Sequence, residues 1–358
     1  MKTLPPIGCN GRGAQASSLT HPVSLVEPPI ETQFRLVREA GVFDHFDRLP
    51  LDLDEARRYV ACSQRFGLPV LTTSWFYAAG RDEALLPPKM ALTATVGAQA
   101  HNIMLYWHDA DGRPITDQEV ADFYLRAYDA GMAHGIEPML EYHVNMWSED
   151  PRRVAVVAAL VRERGVPFWF TLDYSHGIFK MGDVHEQRIC GIADDVAAGR
   201  VVLDPRQPGS FVDLWLELGI VRWAQVRSVA PDGPRNFWST GEDRQPVAAL
   251  PPHSLYPYRA GQPGRAILYP FTEPAPGEWH SPWHDAALDC TRAYVGKLLR
   301  HHHTHADSPL RWITTEMINL PDYAHNARFS LIGQNAAIAT YLRETWDGIC
   351  SKPATVPA

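Results

Sequence analysis

The run Met139-Leu-Glu-Tyr-His-Val-Asn-Met-Trp147 begins apolar and turns polar at Glu141, His143 and Asn145, each two residues from the next. Successive side chains of a strand point to opposite faces, so a strand beginning at Ile136 would carry these three on one face. A carboxylate, an imidazole and an amide together can move a proton, hold a cation or grip a hydroxyl. Three later apolar runs end in a similar way: one reaches Asp173, one carries Gln225 and one carries Glu316. Three carboxylates and an amide oxygen are hard ligands that suit Mn²⁺ first, with Mg²⁺ or Co²⁺ also acceptable. Converging without a cation, the carboxylates would repel one another and drive their pKa values upward. Taken singly, each is explained as well by pairing with a nearby arginine. Four on successive strands favour the metal.

Such a constellation needs strands whose ends share one mouth. Strands are expected at Pro6–Asn10, Val42–Asp47, Pro69–Tyr77 and Asn102–His108, then from Ile136 to Glu141 and at Val166–Asp173, Ile220–Arg227 and Leu310–Met317. Helical spacing or capping residues mark Ile30–Ala40, Asp52–Phe66, Pro88–Ala100, Thr116–His134, Asp150–Gly165, one or two helices within 177–219, His284–His303 and Asn326–Trp346. Eight strand–helix alternations make an α/β chain, a (β/α)8 TIM barrel, whose chemistry sits at the C-terminal strand ends. A doubly wound sheet would carry G-x-G-x-x-G after its first strand, and Gly8-Cys-Asn-Gly-Arg-Gly13 has the wrong spacing. One domain is expected over 1–350, with a long Pro- and Gly-rich insertion at about 228–282 between strands seven and eight, and a flexible tail at 351–358.

Composition narrows the function classes. The 358 residues carry a net charge of -8 without a dense basic block, which speaks against nucleic acid. No apolar run is long enough to span a membrane, and no charged-then-apolar leader opens the chain, so a cytoplasmic protein is expected. Five scattered cysteines, none in a CxxC, read as reduced thiols. The tract His301-His-His-Thr-His305 reads as a solvated helix end. A phosphorylated substrate would want clustered basic residues or a glycine-rich helix start at the mouth, and neither stands out, so unphosphorylated sugars or glycosides are expected.

Glu on strand five, Asp173-x-x-His176 at strand six, Gln225 on strand seven and Glu316 on strand eight resemble the xylose-isomerase-like TIM-barrel superfamily of sugar isomerases and epimerases. Gln225, where tagatose-epimerase-like members have His, together with the following run to Arg235, is similar to hydroxypyruvate-isomerase-like members. The resemblance implies that Glu141, Asp173, Gln225 and Glu316 bind the metal and that His176 and Arg227 or Arg235 meet substrate oxygens. Glu141-x-His143 is also similar to C-glycoside deglycosidase alpha subunits, which cleave 3-oxo-glycosides with a His base and a divalent metal. Such an enzyme would need a small second subunit; a homo-oligomer is the other assembly considered.

The chemistry follows in two directions. A divalent cation on a keto sugar polarises the carbonyl and acidifies the adjacent C–H. With Glu141 and Glu316 shuttling the proton, the enediolate leads to isomerisation or epimerisation. With a leaving group β to the carbonyl and His143 as base, the same site is a lyase. Asn145, Trp107 and His108 are further candidates for the wall of a sugar pocket. A barrel that binds sugar, or serves as a scaffold, without chemistry is the third reading, and metal content separates it from the other two.

Overall fold

The computed structural model describes residues 2–240 and 264–351. Eight parallel strands close into a barrel in chain order: β1 (Ile7–Asn10), β2 (His45–Asp47), β3 (Val70–Tyr77), β4 (Ala100–Leu105), β5 (Glu137–Glu141), β6 (Phe170–Asp173), β7 (Val221–Val226) and β8 (Trp312–Thr315). Pairing of β1 with β8 shuts the ring, with Gly8 opposite Thr314. Around it lie α1 (Ile30–Glu39), α2 (Leu53–Phe66), α3 (Leu86–Thr95), α4 (Asp117–Met132) and α5 (Arg153–Glu163). Then come the short α6 (Ser175–Ile178), α7 (Val184–Ile189), α8 (Ala193–Ala197), α9 (Phe211–Glu217) and α10 (Phe237–Thr240), followed by α11 (Asp289–Thr304) and α12 (Leu331–Cys350).

Local chemistry sets the boundaries that differ from the sequence expectation. α3 stops at Thr95, not Ala100, because Gly97 takes a φ of 81° and turns the chain into β4. β4 therefore starts and ends earlier, and Trp107 and His108 belong to the loop beyond it. α12 starts at Leu331, not Asn326: Ser330 caps it through the Gly333 amide, and Asn326 is left-handed at φ 64°. Three short helices, α7, α8 and α9, not one or two, lie within 177–219, and α6 begins just before it. Within the expected insertion at 228–282, residues 241–263 lie outside the described residues, as do 352–358 of the expected tail. No helix among the described residues is long and apolar enough to cross a membrane.

Other ends follow their residues. Asp52 caps α2 through the Glu55 amide, and Gly67 closes it in the left-handed region. Thr116 and Glu119 form a reciprocal capping box on α4. Inside the barrel, alternate residues face inward. Ala100, Met139, Trp223 and Trp312 pack as one buried layer, with the Trp223 indole donating to Thr314 Oγ1 at 3.0 Å. The next inward positions towards the C-terminal ends are Asn102, Glu141 and Gln225, and Gln225 sits level with Asp173 and Thr314. The apolar layer is thus the floor on which the polar mouth stands.

Candidate active site

Glu141, Asp173 and Glu316 come together in the barrel mouth, each buried. One oxygen from each lies within 4.8 Å of the others, and a second cluster of the same reach joins Glu141 to His143 and His176. The partners of each carboxylate differ. Glu141 accepts from the Asn102 amide one strand away. Asp173 accepts from the Ser175 hydroxyl at 2.5 Å and the Ser175 amide at 3.1 Å, and its Oδ2 lies 3.1 Å from His176 Nε2. Glu316 Oε1 accepts from Asn10 at 3.1 Å and from Gln225 Nε2 at 3.3 Å.

Arg227 ties the cluster together. Strand parity carries it inward two residues after Gln225. Its fully buried guanidinium pairs with Asp173 Oδ2 at 2.9 Å and Glu316 Oε2 at 2.8 Å, donates from Nε to the Glu316 carbonyl at 2.8 Å and from Nη1 to Ser175 at 2.9 Å, and lies 4.3 Å from the Tyr323 ring centroid. The arginine pairing that explains a lone strand-end carboxylate is therefore real for two of the three. One guanidinium against three carboxylates leaves two negative charges.

Burial dominates the electrostatics. It raises the Glu141 and Glu316 carboxyls well above the usual range; Asp173 adds to the rise at Glu141, and Asp173 and Glu141 add to it at Glu316. Asp173 moves the other way: burial opposes ionisation, but Arg227, His176 and Ser175 outweigh it and hold the group ionised. Burial and the neighbouring His176 push His143 well below its ordinary value, so its imidazole is neutral. Burial also pushes His176 down to about 4.

The residues fit a divalent cation. Three oxygen ligands converge that would carry two uncompensated charges once all are ionised, and among the described residues the buried Gln225 Oε1 beside them has no hydrogen-bond partner. An amide oxygen left orphaned next to carboxylates is the donor a hard cation would take up.

A cleft of about 70 Å³ opens onto this cluster, several times the roughly 10–15 Å³ one water needs. Its wall includes Glu316, His143, Asn10, Trp75 and Phe76, with Arg12 and Arg48. The His143 Nδ1 is 2.6 Å from the Val144 carbonyl, which fixes the proton on Nδ1 and leaves the basic lone pair on Nε2. The His143 and His176 ring centroids are 4.1 Å apart.

Of the sequence candidates only His143 and Glu316 line the cleft; Glu141, Asp173, Gln225, His176 and Arg227 are buried in the cluster and not part of its wall, and the other four lie elsewhere. The strand ends at Glu141, and Asn145 takes a left-handed φ of 64°, which breaks the shared face after His143. Its Oδ1 accepts from Arg265 at 2.9 Å. Arg235 pairs with Asp183 at 2.9 Å and donates to the Gly264 carbonyl. Trp107 and His108 stack on each other in the β4–α4 loop, tied to the β5 loop through the Asn145 carbonyl. None of these four is part of the cleft wall. Sequence reasoning missed Asn10, Asn102 and Ser175. Asn102 had a signal: an amide at inward parity with Ala100 in a strand whose other polar residue is His101.

The sequence matches no protein-family model and no curated protein. Solved structures match over nearly the whole length of both chains. A xylose isomerase domain protein from Salmonella typhimurium is 14% identical, covering 96% of this chain and 98% of that one, with a TM-score of 0.50. A D-allulose 3-epimerase from Methylomonas sp. is 10% identical, covering 96% and 99%, with a TM-score of 0.53. An IolI protein with a bound zinc atom is 12% identical, covering 97% and 100%, with a TM-score of 0.53. At these identities the likeness establishes the fold alone, a (β/α)8 barrel shared with these proteins.

Proposed function

We propose that the protein is a divalent-metal-dependent isomerase or epimerase of keto sugars, working by removal of a proton next to a carbonyl. The observation that carries the reading is the convergence of Glu141, Asp173 and Glu316 around the orphaned amide oxygen of Gln225. These four would hold the metal, with Mn²⁺ the first choice and Mg²⁺ or Co²⁺ next for an all-oxygen set. Once bound, the cation supplies Lewis-acid polarisation of the substrate carbonyl. The names of the epimerase and of the zinc-bound barrel with the same fold support the reading.

The protein's own groups divide the remaining work. Glu141 and Glu316, from opposite parts of the ring, take and return the proton on two sides of the bound sugar. Burial raises both carboxyls well above the usual range, which makes each a stronger base than an exposed carboxylate. Arg227 stays charged throughout, holding Asp173 ionised and Glu316 oriented. His176 meets substrate oxygens in this reading.

A second reading rests on a specific feature. His143 lines the cleft as a neutral imidazole whose Nδ1 is fixed by Val144. Nε2 is then poised as a base, and with a leaving group β to the carbonyl the outcome is elimination from a 3-oxo-glycoside.

Metal analysis of the purified protein and of Glu316→Gln, followed by incubation in deuterium oxide with keto sugars and 3-oxo-glycosides, tests both. The isomerase reading expects bound metal in the wild type, less in the variant, and deuterium on the carbon next to a carbonyl. A released aglycone, lost in His143→Gln with a rate drop of about 10²–10⁴, selects the lyase. Absence of metal and of exchange defeats both and leaves a binding barrel.

A further inference from the structure

The Gly11-Arg12-Gly13 turn after β1 and the residue that follows β2, Arg48, meet at the rim of the cleft. Arg12 Nη1 lies 3.3 Å from Glu27 Oε1, and Arg48 Nη2 lies 2.5 Å from the same oxygen. Two guanidinium groups thus share one carboxylate, and both line the cleft that contains Glu316 and His143. The side chains are 19% and 25% exposed, so each is mostly desolvated yet still reachable. Glu27 is the only acid in direct ion-pair contact with the two arginines among the described residues, so the pair of guanidiniums outnumbers its bridging carboxylate in a wall that also holds Glu316. Burial and the adjacent Arg48 bring Arg12 down to about 10, the mark of a cation short of anionic company. On Arg48, Glu27, Tyr59, Glu55 and Asp47 outweigh burial and raise the pKa.

The backbone is built to put Arg12 there. Asn10 Oδ1 accepts the Arg12 amide at 3.0 Å, while its Nδ2 donates to Glu316. One side chain thus joins the two ends of the cleft. A methyl on Gly11 would overlap the Phe46 ring, and one on Gly13 would overlap the Met317 carbonyl and the Asn335 amide. Only glycine on each side lets the turn lie flat between the β2 and β8 ends and hold Arg12 at the rim. Arg12 also reaches Asn319 Oδ1 at 3.4 Å. Beyond Arg48 and Leu49 the surface opens into a second hollow of about 330 Å³, which leaves room for a substituent at the rim.

We propose that Arg12 and Arg48 form a subsite for an oxyanion on the substrate, a carboxylate or a phosphate, carried by a sugar whose carbonyl end sits at Glu141 and Glu316. The inference rests on the keto-sugar reading and narrows it from neutral sugars to sugar acids or sugar phosphates. Guanidinium forks match both groups with paired hydrogen bonds. The pair was invisible in sequence as a basic cluster because the parallel pairing of β1 with β2, not chain proximity, brings their ends together.

The test is calorimetric titration of chelator-treated protein, so that no probe can bind through a metal. The probes are inorganic phosphate, D-glucuronate against D-glucose, and D-fructose 6-phosphate against D-fructose. The anionic member of each pair is expected to bind about ten- to a hundredfold tighter than its neutral parent. The ratio should shrink with added sodium chloride. Arg12→Gln and Arg48→Gln should each collapse it about tenfold, with Arg48→Lys retaining part, and melting curves check that each variant is folded. A glucuronate ratio above the phosphate ratio assigns sugar acids; the reverse assigns sugar phosphates. A ratio near one in the wild type, or one unchanged in both Gln variants, overturns the subsite. Metal analysis and deuterium exchange on the same preparation separate the two ideas. Metal and exchange with a ratio of one defeat the subsite alone, whereas a high ratio without metal or exchange defeats the keto-sugar reading and leaves the anion site standing.

Discussion

Metal binding should expel about two protons. Without a cation, Asp173 is ionised against Arg227, while burial and mutual repulsion keep Glu141 and Glu316 protonated over a range well above the usual carboxylate pKa. That cluster is electrically neutral. With a divalent ion bound, the two glutamates must give up their protons to become ligands, and three carboxylates then balance one guanidinium and two metal charges. Both states are neutral, and the difference between them is the two protons. Below the raised glutamate pKa values, the apparent affinity should therefore tighten about a hundredfold per pH unit, roughly 2.7 kcal/mol, and level off above them.

The assay is calorimetry with MnCl₂ at one pH in buffers of different ionisation enthalpy, whose slope counts protons directly. A pH series of melting curves on metal-free protein gives an independent check. A raised carboxyl pKa means that the folded state keeps protons the unfolded chain has already shed. The contribution of Glu141 and Glu316 to metal-free stability is then fully present below the unfolded carboxylate pKa of about 4.5 and is lost as pH rises through the raised values, while ionised Asp173 contributes in the opposite direction, losing its share as pH falls. Asp47, buried and pushed up to about 8, acts in the same direction as the glutamates. Saturating metal should remove the glutamate part of the loss at rising pH. Tight binding with no proton release would refute the charge argument, because it would mean that both glutamates were already ionised beside Asp173.

Arg227→Met should destabilise metal-free protein by about 3–5 kcal/mol in denaturant unfolding, since it strands two buried carboxylates, and added metal should recover part of the loss. Asn102→Ala removes a donor that favours ionised Glu141. The Glu141 pKa should rise further, moving the acidic limb of a pH–rate profile or of metal affinity to higher pH. Gly8→Ala should cost about 1–3 kcal/mol, because a methyl there overlaps the His45 ring that fills the barrel interior.

Much of the scaffold was legible because its signals are local. Capping at Asp52 and Thr116, stops at glycines and two-residue alternation marked all eight strands and most helices. Their place at the ends of four successive strands of an expected barrel put Glu141, Asp173, Gln225 and Glu316 at one mouth. What the pattern could not give was where alternation stops. Asn145 continues the pattern in sequence, but the strand has ended four positions earlier at Glu141, Asn145 is itself left-handed, and its side chain goes to Arg265 instead. Trp107 and His108 continue the β4 pattern in the same deceptive way, past a strand that has already ended at Leu105. Arg12 and Arg48 meet only because two loops are neighbours in a closed ring. Local sequence encodes element and face, and the ring alone encodes who stands across the mouth.

Arg227 shows why the two explanations of a strand-end carboxylate, arginine partner or metal, are not rivals here. An arginine that neutralised all three carboxylates would leave nothing for a cation to bind; no arginine at all would leave three buried negative charges for one divalent ion. The guanidinium satisfies Asp173 and one oxygen of Glu316, and its Nε and Nη1 are committed to the Glu316 carbonyl and Ser175, so it is held as a fixed part of the barrel. The remaining demand is for two positive charges, and it can be met by two protons or by one divalent ion. A site whose permanent cation is one residue and whose other positive charge is exchangeable can be loaded and unloaded without refolding. It also ties metal affinity to pH through Glu141 and Glu316, the residues whose protons the proposed chemistry uses.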